Sequence, residues 1–195
     1  MKEVAVVILA GGEARRIGGG KPLRLLGGIS LIDRALDFAR AWSDDVAVSV
    51  RSADQIGGAE TVRLTDVPEI EGPLAGLAAA LRHAQAHGRP AVLTMPCDMP
   101  FLPADLPVAL DAALGEDVAA AVASSGGRLH PVCALWQVRA AAALPDYVRS
   151  GRRSLHGFAE HVGFTAVAWP AEPFDPFFNI NSEEDLHAAE ARLAR

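Results

Sequence analysis

A chain of 195 residues has the length of one domain and can bury a sizeable hydrophobic core. Half of its residues are hydrophobic and 22% are charged, which excludes an intrinsically disordered or collagen-like protein. The formal net charge of -6 argues against nonspecific nucleic-acid binding, because such binding requires a concentrated basic surface.

The first apolar run, Val4 to Ala10, is too short to span a membrane and follows a single Lys2 rather than a charged leader. We therefore expect a cytoplasmic protein without a membrane partner. The two cysteines, Cys97 and Cys133, match neither a Cys-x-x-Cys pair nor a zinc site. Buried thiols are the expected state of both.

Short apolar runs alternate with helix-period segments along most of the chain. Val4 to Leu9 is continuously aliphatic, which is typical of a strand buried on both faces of a parallel sheet. Further strands are predicted at 45–50, 91–95, 118–123, 132–136 and 164–168, and helices at 31–42, 74–86, 104–114, 138–148 and 183–193. The alternation predicts one α/β domain over residues 1–195, Rossmann-like, with three α/β/α layers and a mostly parallel sheet.

Local signals mark some helix starts and loops. Ser30 and Ser182 each precede a helix-period segment with acidic residues in its first turn, so both are predicted N-caps. Gly126 to Pro131 and Pro170 to Pro176 are predicted to be long loops. No metal-ligand spacing is found among His83, His87, His156, His161 and His187, and His130 before Pro131 is expected to be structural.

A loop with five glycines and three cations, Ala10 to Lys21, directly follows the first predicted strand. Glycine lets backbone amides approach phosphate oxygens, while Arg15, Arg16 and Lys21 supply charge for a polyphosphate. The loop lies at the carboxyl end of a strand, where open α/β sheets bind ligands. This position favours a phosphate-binding loop over a solvated glycine loop.

Spacing excludes two better-known phosphate loops. A Walker A motif has four residues between its first glycine and its Gly-Lys pair, and a Ser or Thr after the pair, but Arg15 and Pro22 stand there. Gly-x-Gly-x-x-Gly does not occur in this loop either. The chain is therefore neither a P-loop ATPase nor an ordinary dinucleotide-binding domain.

Four motifs together resemble those of the molybdenum cofactor guanylyltransferase family of nucleotidyltransferases. They are Leu9-Ala10-Gly11-Gly12 with the arginine pair, Ile17-Gly18 and Lys21; Asp66 with Gly72-Pro73-Leu74-Ala75-Gly76-Leu77; Pro96-Cys97-Asp98-Met99-Pro100; and Asn179-Ile180-Asn181-Ser182 with the acids after it. They span nearly the whole chain in family order. The resemblance implies a fold of the nucleotide-diphospho-sugar transferase type, and Mg²⁺-dependent transfer of GMP from GTP to the phosphate of molybdopterin with release of pyrophosphate.

Chemistry suggests roles for the charged residues of these motifs. Asp98 follows the strand predicted at 91–95, so its carboxylate should emerge at the carboxyl edge of the sheet, where Mg²⁺ is held by carboxylates and phosphate oxygens. Lys21 is expected to neutralise charge on the departing pyrophosphate. Arg15 is the further catalytic candidate, and Arg15 and Arg16 are both candidates for phosphate contacts.

The resemblance places the backbone of Leu9, Ala10, Gly11 and Gly12 against the nucleotide, with Lys21 and Asp98, and Asp66 near it. By chemistry alone, Asp66 could accept hydrogen bonds from guanine or from ribose hydroxyls, or be a turn residue.

The resemblance puts Gly72, Gly76, Asn179 and Asn181 on the acceptor side. Turn glycines and a capped helix entry are the alternative roles of these four residues. No nucleophilic side chain is required, because an acceptor phosphate, whose second pKa is about 6, is largely ionised at neutral pH.

Two positions depart from the family pattern. Gly20 precedes the lysine where relatives usually carry an acid, and Arg51 stands after the second strand where they tend to place an asparagine. Arginine cannot accept a hydrogen bond, so the choice between GTP and CTP stays open.

Other functions remain possible at this level. A cytidylyl- or other nucleotidyltransferase acting on molybdopterin or a sugar phosphate would use most of the same motifs. A nucleotide-binding maturation partner without turnover is the alternative from another class, although Lys21 and Asp98 argue against it. If the resemblance holds, cofactor-insertion proteins or molybdoenzyme chaperones are the expected protein partners.

Overall fold

A seven-stranded sheet forms the centre of the molecule, with the strand order β5-β4-β1-β6-β8-β7-β9. The computed structural model describes residues 3–11, 20–67, 70 and 72–194. The strands are β1 (Ala5–Leu9), β2 (Leu25–Leu26), β3 (Ile29–Ser30), β4 (Val46–Val50), β5 (Val62–Thr65), β6 (Ala91–Pro96), β7 (Ala120–Ser125), β8 (Arg128–Gln137) and β9 (Phe164–Trp169). The helices are α1 (Leu31–Trp42), α2 (Pro73–Ala86), α3 (Leu106–Ala113), α4 (Leu144–Arg149), α5 (Leu155–Val162) and α6 (Glu183–Leu193).

The sheet is mostly parallel, as predicted. Strand β1 pairs in parallel with β4 and β6, and β4 pairs in parallel with β5. Strand β8 alone runs antiparallel, between β6 and β7, and β9 pairs in parallel with β7. The carboxyl ends of β5, β4, β1 and β6 therefore lie side by side at one edge of the sheet.

Each face of the sheet carries its own hydrophobic layer. Alternate residues of β1 divide between the faces, so that Val6 and Ile8 pack with α1 and α3 while Ala5 and Val7 pack with α2 and α5. This arrangement confirms the predicted three-layer α/β/α architecture. A small third cluster joins Leu26 of the β2–β3 hairpin to α6.

The predicted helix starts are confirmed at both serines. Ser30 Oγ accepts from Asp33 N at the start of α1, and Ser182 forms a capping box with Asp185 at the start of α6. Both capping acids lie in the first turn, where they also complement the positive end of the helix.

The prediction of a long loop at Gly126 to Pro131 was wrong. Gly126 and Gly127 have φ of 53° and 76° and form a tight turn, and β8 begins at Arg128, which pairs with Ser125. Two successive positive-φ residues match the twist of a β-hairpin, which explains the short connection. The loop predicted at Pro170 to Pro176 is confirmed as irregular chain.

Further elements differ from the prediction, which also did not include the short strands β2 and β3. The single helix predicted at 138–148 is a 3-10 segment, Val138–Ala143, followed by α4, which has Pro145 in its first turn. Helix α5 and strand β5 were not predicted. Among the described residues, no helix is long and apolar enough to cross a membrane.

Candidate active site

One cavity of about 230 Å³ lies at the carboxyl edge where the four parallel strands end. The residues that follow these strands, Gly11, Arg51, Asp66 and Asp98, all line it. Its remaining lining residues are Leu9, Ser49, Gly72, Pro73, Gly76, Pro96, Val132 and Asn179. The topology thus brings together residues separated by more than half of the chain.

Asp98 and Lys21 form a nearly buried ion pair at this cavity. Lys21 Nζ lies 2.5 Å from Asp98 Oδ2, and the two side chains are 12% and 17% exposed. Gly20 adopts a left-handed conformation, with φ 62°, immediately before the short 3-10 turn that carries Lys21. That conformation suits glycine.

The C-terminal motif is tied to the same ion pair. Lys21 Nζ donates to Asn181 Oδ1 at 2.8 Å and to Asn179 Oδ1 at 3.4 Å, and Ile180 N donates to Asp98 O at 3.0 Å. Lys21 therefore links the glycine-rich loop, the end of β6 and the entry to α6.

The α6 capping box also holds this segment. Asp185 Oδ2 accepts from Asn181 N at 2.8 Å and from Ser182 N at 2.9 Å. Burial raises the pKa of Asp185, but the amides of Asn181 and Ser182, the Ser182 hydroxyl and the charge of Lys21 lower it below its ordinary value. Asp185 is thus kept ionised, and its carboxylate holds the backbone amides of Asn181 and Ser182 in place.

Asp66 is oriented by its neighbours at the other end of the cavity. Ser49 Oγ donates to Asp66 Oδ1 in a short hydrogen bond. A Cβ built on Gly11 would meet Asp66 Oδ2 at 2.7 Å, so glycine is what allows the carboxylate to lie against the first loop. Gly76 allows α2 to approach β1 and β4 closely, since a Cβ there would lie 3.1 Å from both Leu9 Cδ2 and Ser49 Oγ.

Gln55 connects the segments that follow β1 and β4. Its Nε2 donates to Ala10 O at 2.6 Å, and its Oε1 accepts from Arg51 N at 3.0 Å. The backbone of Ala10 is thereby fixed where the glycine-rich loop begins.

Helix α2 directs its amino-terminal end at the cavity. Gly72, with φ 70°, is its N-cap and makes no side-chain cap, and Pro73 occupies its first turn. The free amides and the positive end of a 14-residue helix favour an anionic group at this place.

His130 supports the segment that carries Asn179. Its ring stacks on Phe177 with 4.6 Å between centroids, and its Nε2 shares a hydrogen bond of 2.8 Å with Ser125 Oγ. Burial and Arg128 lower the pKa of His130 below its ordinary value, while Asp175 opposes the shift. The expectation of a structural histidine agrees with this packing.

The structure brings the described candidate residues together. Leu9, Gly11, Asp66, Gly72, Gly76, Asp98 and Asn179 line the cavity, Lys21 and Asn181 contact or adjoin Asp98, and the Ala10 carbonyl is held by Gln55. Gly12, Arg15 and Arg16 lie outside the described residues. Three residues that position other groups were not predicted as part of the site, namely Ser49, Gln55 and Asp185. Of these, Asp185 alone had a signal in the sequence, as one of the acids that follow the Ser182 cap.

Both cysteines are buried thiols, as expected. Burial, together with the charge of Asp98, raises the pKa of Cys97 and of Cys133 above the ordinary value and favours the protonated thiol of both.

One atom of the site has the character of a metal ligand. Among the described residues, Asp98 Oδ1 is a buried side-chain oxygen without a hydrogen-bond partner, while Oδ2 is paired with Lys21. A buried, unsatisfied carboxylate oxygen costs free energy unless a cation or a donor binds it. Asp98 therefore fits a hard divalent cation that takes its other ligands from phosphate oxygens and water.

Comparisons with known proteins agree with this geometry. The family described as "MobA-like NTP transferase domain" matches residues 6–162. A molybdenum cofactor guanylyltransferase from Rhodopseudomonas palustris (strain BisB5) is 42% identical over an alignment that covers 94% of this chain and 91% of the relative.

Solved structures extend the likeness to the whole fold. Molybdopterin-guanine dinucleotide biosynthesis protein A from Archaeoglobus fulgidus superposes with a TM-score of 0.79 at 26% identity, over 98% of this chain and 99% of the other. 2-C-methyl-D-erythritol 4-phosphate cytidylyltransferase from Thermus thermophilus, 22% identical, shares the fold with a TM-score of 0.71 over 100% of both chains. The chain has the nucleotide-diphospho-sugar transferase type of fold, and it belongs to the molybdenum cofactor guanylyltransferase family of MobA-like nucleotidyltransferases.

Proposed function

We propose that this chain transfers GMP from GTP to the phosphate of molybdopterin, releases pyrophosphate and holds Mg²⁺ at Asp98. The observation that carries the proposal is the Lys21–Asp98 pair, with its 2.5 Å separation and one unpartnered carboxylate oxygen, at the cavity where the parallel strands end. Relatives named molybdenum cofactor guanylyltransferase support the choice of nucleotide and acceptor.

The residues of the cavity divide into a nucleotide side and a phosphate side. Asp66 has one oxygen held by Ser49, so its Oδ2 is available to accept from the N1 and N2 hydrogens of guanine. Leu9, Ala10 and Gly11 offer backbone groups near that position. Gly12 and Arg15 belong to the same proposed nucleotide site by their place in the family motif.

On the phosphate side, Lys21 neutralises negative charge that develops on the departing pyrophosphate. Asp98 provides the carboxylate for Mg²⁺, which when bound would stabilise charge on the phosphate oxygens. Asn181 and Asn179 hold Lys21 in place through their side-chain oxygens.

The acceptor is proposed to approach from the α2 side. Gly72, Gly76 and the amino-terminal end of α2 border the cavity together with Asn179, and this helix end favours an anion. The acceptor phosphate is itself the nucleophile, so the chain's contribution is to hold its oxygen in line with the α-phosphorus. No general base is needed.

A second candidate is cytidylyl transfer. Arg51 lines the cavity, and its guanidinium donates hydrogen bonds only. The acceptor atoms of cytosine suit such a donor, as do O6 and N7 of guanine, so Arg51 is compatible with CTP as well as with GTP.

The test is pyrophosphate release by the purified chain with Mg²⁺ and molybdopterin, measured separately with GTP, CTP and ATP. We expect release with GTP, and a decrease of at least about 100-fold, the usual order for removal of one main electrostatic group, in Asp98→Asn. Asn keeps the size of the side chain and an oxygen for Lys21, which makes it preferable to removing Lys21 from a nearly buried pair. Asp111→Asn, at an exposed position of α3, is the control and should keep full activity.

Release with CTP alone would replace the guanylyl proposal with the cytidylyl one. Release with GTP that is equal in the wild-type chain and Asp98→Asn would contradict the assignment of Mg²⁺ to Asp98. Binding of GTP without release by any nucleotide would favour the non-catalytic maturation partner.

A further inference from the structure

A second group of possible metal ligands lies at the opposite edge of the sheet from Asp98. Asp45 immediately precedes β4, at the amino ends of the parallel strands, while His83 and His87 lie in and just after the last turn of α2. Residues four apart on a helix face the same side. This His-x-x-x-His spacing was not predicted to bind a metal, and its carboxylate partner, Asp45, comes from a distant part of the chain.

The three side chains converge in space. His83 Nε2 lies 2.8 Å from Asp45 Oδ1, and the two imidazole rings are 4.1 Å apart between centroids. One ligand atom from each of the three residues lies within 4.8 Å of the other two. Asp45 and His83 are nearly buried, whereas His87 is exposed and leaves the group open to solvent.

The surrounding hydrogen bonds prepare these atoms for coordination. His87 Nδ1 pairs with the carbonyl oxygen of His83 at 2.8 Å, which makes Nδ1 the protonated nitrogen and leaves Nε2 with a free lone pair. Ligand histidines in metal sites usually have their second nitrogen bonded in this way.

The orientation of Asp45 by Arg89 and the ionised state of its carboxylate also favour metal binding. Arg89 Nε donates to Asp45 Oδ2 at 2.8 Å, so the guanidinium orients the carboxylate and leaves Oδ1 directed at His83. Burial raises the pKa of Asp45, but hydrogen bonds from His83 and Arg89 outweigh it and lower the pKa below its ordinary value. The carboxylate is therefore ionised at neutral pH.

Two imidazole nitrogens and one carboxylate oxygen are ligands for Zn²⁺, Co²⁺ or Ni²⁺ rather than for Mg²⁺ or Ca²⁺. Bonds of about 2.0–2.2 Å in a tetrahedral site would hold the ligand atoms about 3.3 Å apart. A small opening of the Asp45–His83 contact and a shift of the exposed His87 ring that keeps its Nδ1 hydrogen bond to His83 O would give this spacing, and the ion would displace to water the proton that His83 Nε2 donates to Asp45 Oδ1. We propose that Asp45, His83 and His87 bind one Zn²⁺-type ion, with water as the fourth ligand, that joins the end of α2 to the start of β4.

The test uses Asp98→Asn as the background, which removes the proposed Mg²⁺ ligand from the count of bound ions. Zn²⁺ is titrated calorimetrically, and Co²⁺ is titrated by visible absorption, whose intensity reports a tetrahedral nitrogen and oxygen environment. We expect one ion per chain, a tetrahedral Co²⁺ spectrum and a higher Tm with Zn²⁺. Adding His87→Ala should lower the affinity at least about 10-fold and abolish the Tm increase.

His187→Ala, at an exposed position of α6, is the matched control and should bind like the background chain. Circular dichroism without metal checks that His87→Ala is folded, which is expected because the side chain is exposed. Absence of Zn²⁺ binding in the background chain, or equal binding and an equal Tm increase with and without His87, would overturn the proposal and leave an Asp45–His83–Arg89 ion-pair network only.

Discussion

Gly11 lies directly against the Asp66 carboxylate in the proposed nucleotide site. A Cβ at this position would lie 2.7 Å from Asp66 Oδ2, which is too close for the present position of the carboxylate. Ser49 holds the other oxygen of Asp66, so the carboxylate cannot turn away without losing that hydrogen bond. The size of residue 11 therefore determines where the proposed guanine acceptor lies.

We predict that Gly11→Ala raises the Kd for GTP about 10-fold or more, equivalent to about 1.4 kcal/mol, because the displaced Asp66 carboxylate loses its hydrogen bonds to guanine. Gly115→Ala is the control, since a Cβ there meets no atom within 4 Å. GTP binding is measured by calorimetry for both variants. Equal affinity in Gly11→Ala and the wild-type chain would mean that Asp66 does not contact the nucleotide.

At the scale of elements, helix α6 positions the segment that binds Lys21. Its capping box places Asp185 Oδ2 on the amides of both Asn181 and Ser182. Helix α5 also begins at a serine N-cap, since Ser154 Oγ accepts from Gly157 N at 3.0 Å, but in the part of the chain that the structure describes no residue of this cap is hydrogen-bonded to Lys21. A comparison of variants at the two caps can therefore distinguish loss of helix stability from loss of the contacts that position Lys21.

We predict that Ser182→Ala and Ser154→Ala each lower the free energy of unfolding by about 1 kcal/mol, the usual loss for a serine N-cap. Only Ser182→Ala should also lower the rate of pyrophosphate release, because frayed first-turn residues no longer fix Asn181 on Lys21. Urea unfolding and steady-state rates are compared for the two variants. A parallel loss of activity in Ser154→Ala would indicate a general effect of destabilisation.

The elements with a strong local sequence pattern were predictable, and those defined by their partners were not. Strand β1 was found from its continuous aliphatic run, and helix α1 from its apolar periodicity and the Ser30 cap. Strand β5 was missed because it is a mostly exposed edge strand whose partner, within the residues that the structure describes, is β4 alone.

Among site residues, motif positions could be named because their neighbours in sequence carry the signal. Ser49 and Gln55 could not, since each acts on a group that lies far away along the chain or on a different segment. The convergence of His83 with Asp45 likewise depends on the parallel pairing of β4 with β1, which fixes the position of Asp45 beside the end of α2.

For the whole molecule, the antiparallel strand β8 joins the two halves of the sheet and carries His130. This buried ring is bonded to Ser125 of β7 and stacked on Phe177, close to the segment that holds Asn179. Because burial and Arg128 lower the pKa of His130 in the folded state, the unfolded chain, whose histidine has a pKa of about 6.5, binds a proton more readily. The contribution of the neutral His130 ring to stability is therefore complete above about pH 6.5, and it is lost as the pH falls through the pKa that His130 has in the folded state.

We predict that the free energy of unfolding of the wild-type chain decreases between about pH 7.5 and about pH 5 more than that of His130→Gln, which removes the titrating ring but keeps a hydrogen-bonding side chain for Ser125. His187→Gln, at an exposed position, should follow the wild-type pH dependence. Urea unfolding at several pH values gives the three curves. The difference in free energy of unfolding between the wild-type chain and His130→Gln should become smaller at lower pH, because protonation of His130 is unfavourable only in the folded state, where the ring is packed. Curves that stay parallel would mean that His130 has the same pKa in the folded and unfolded states.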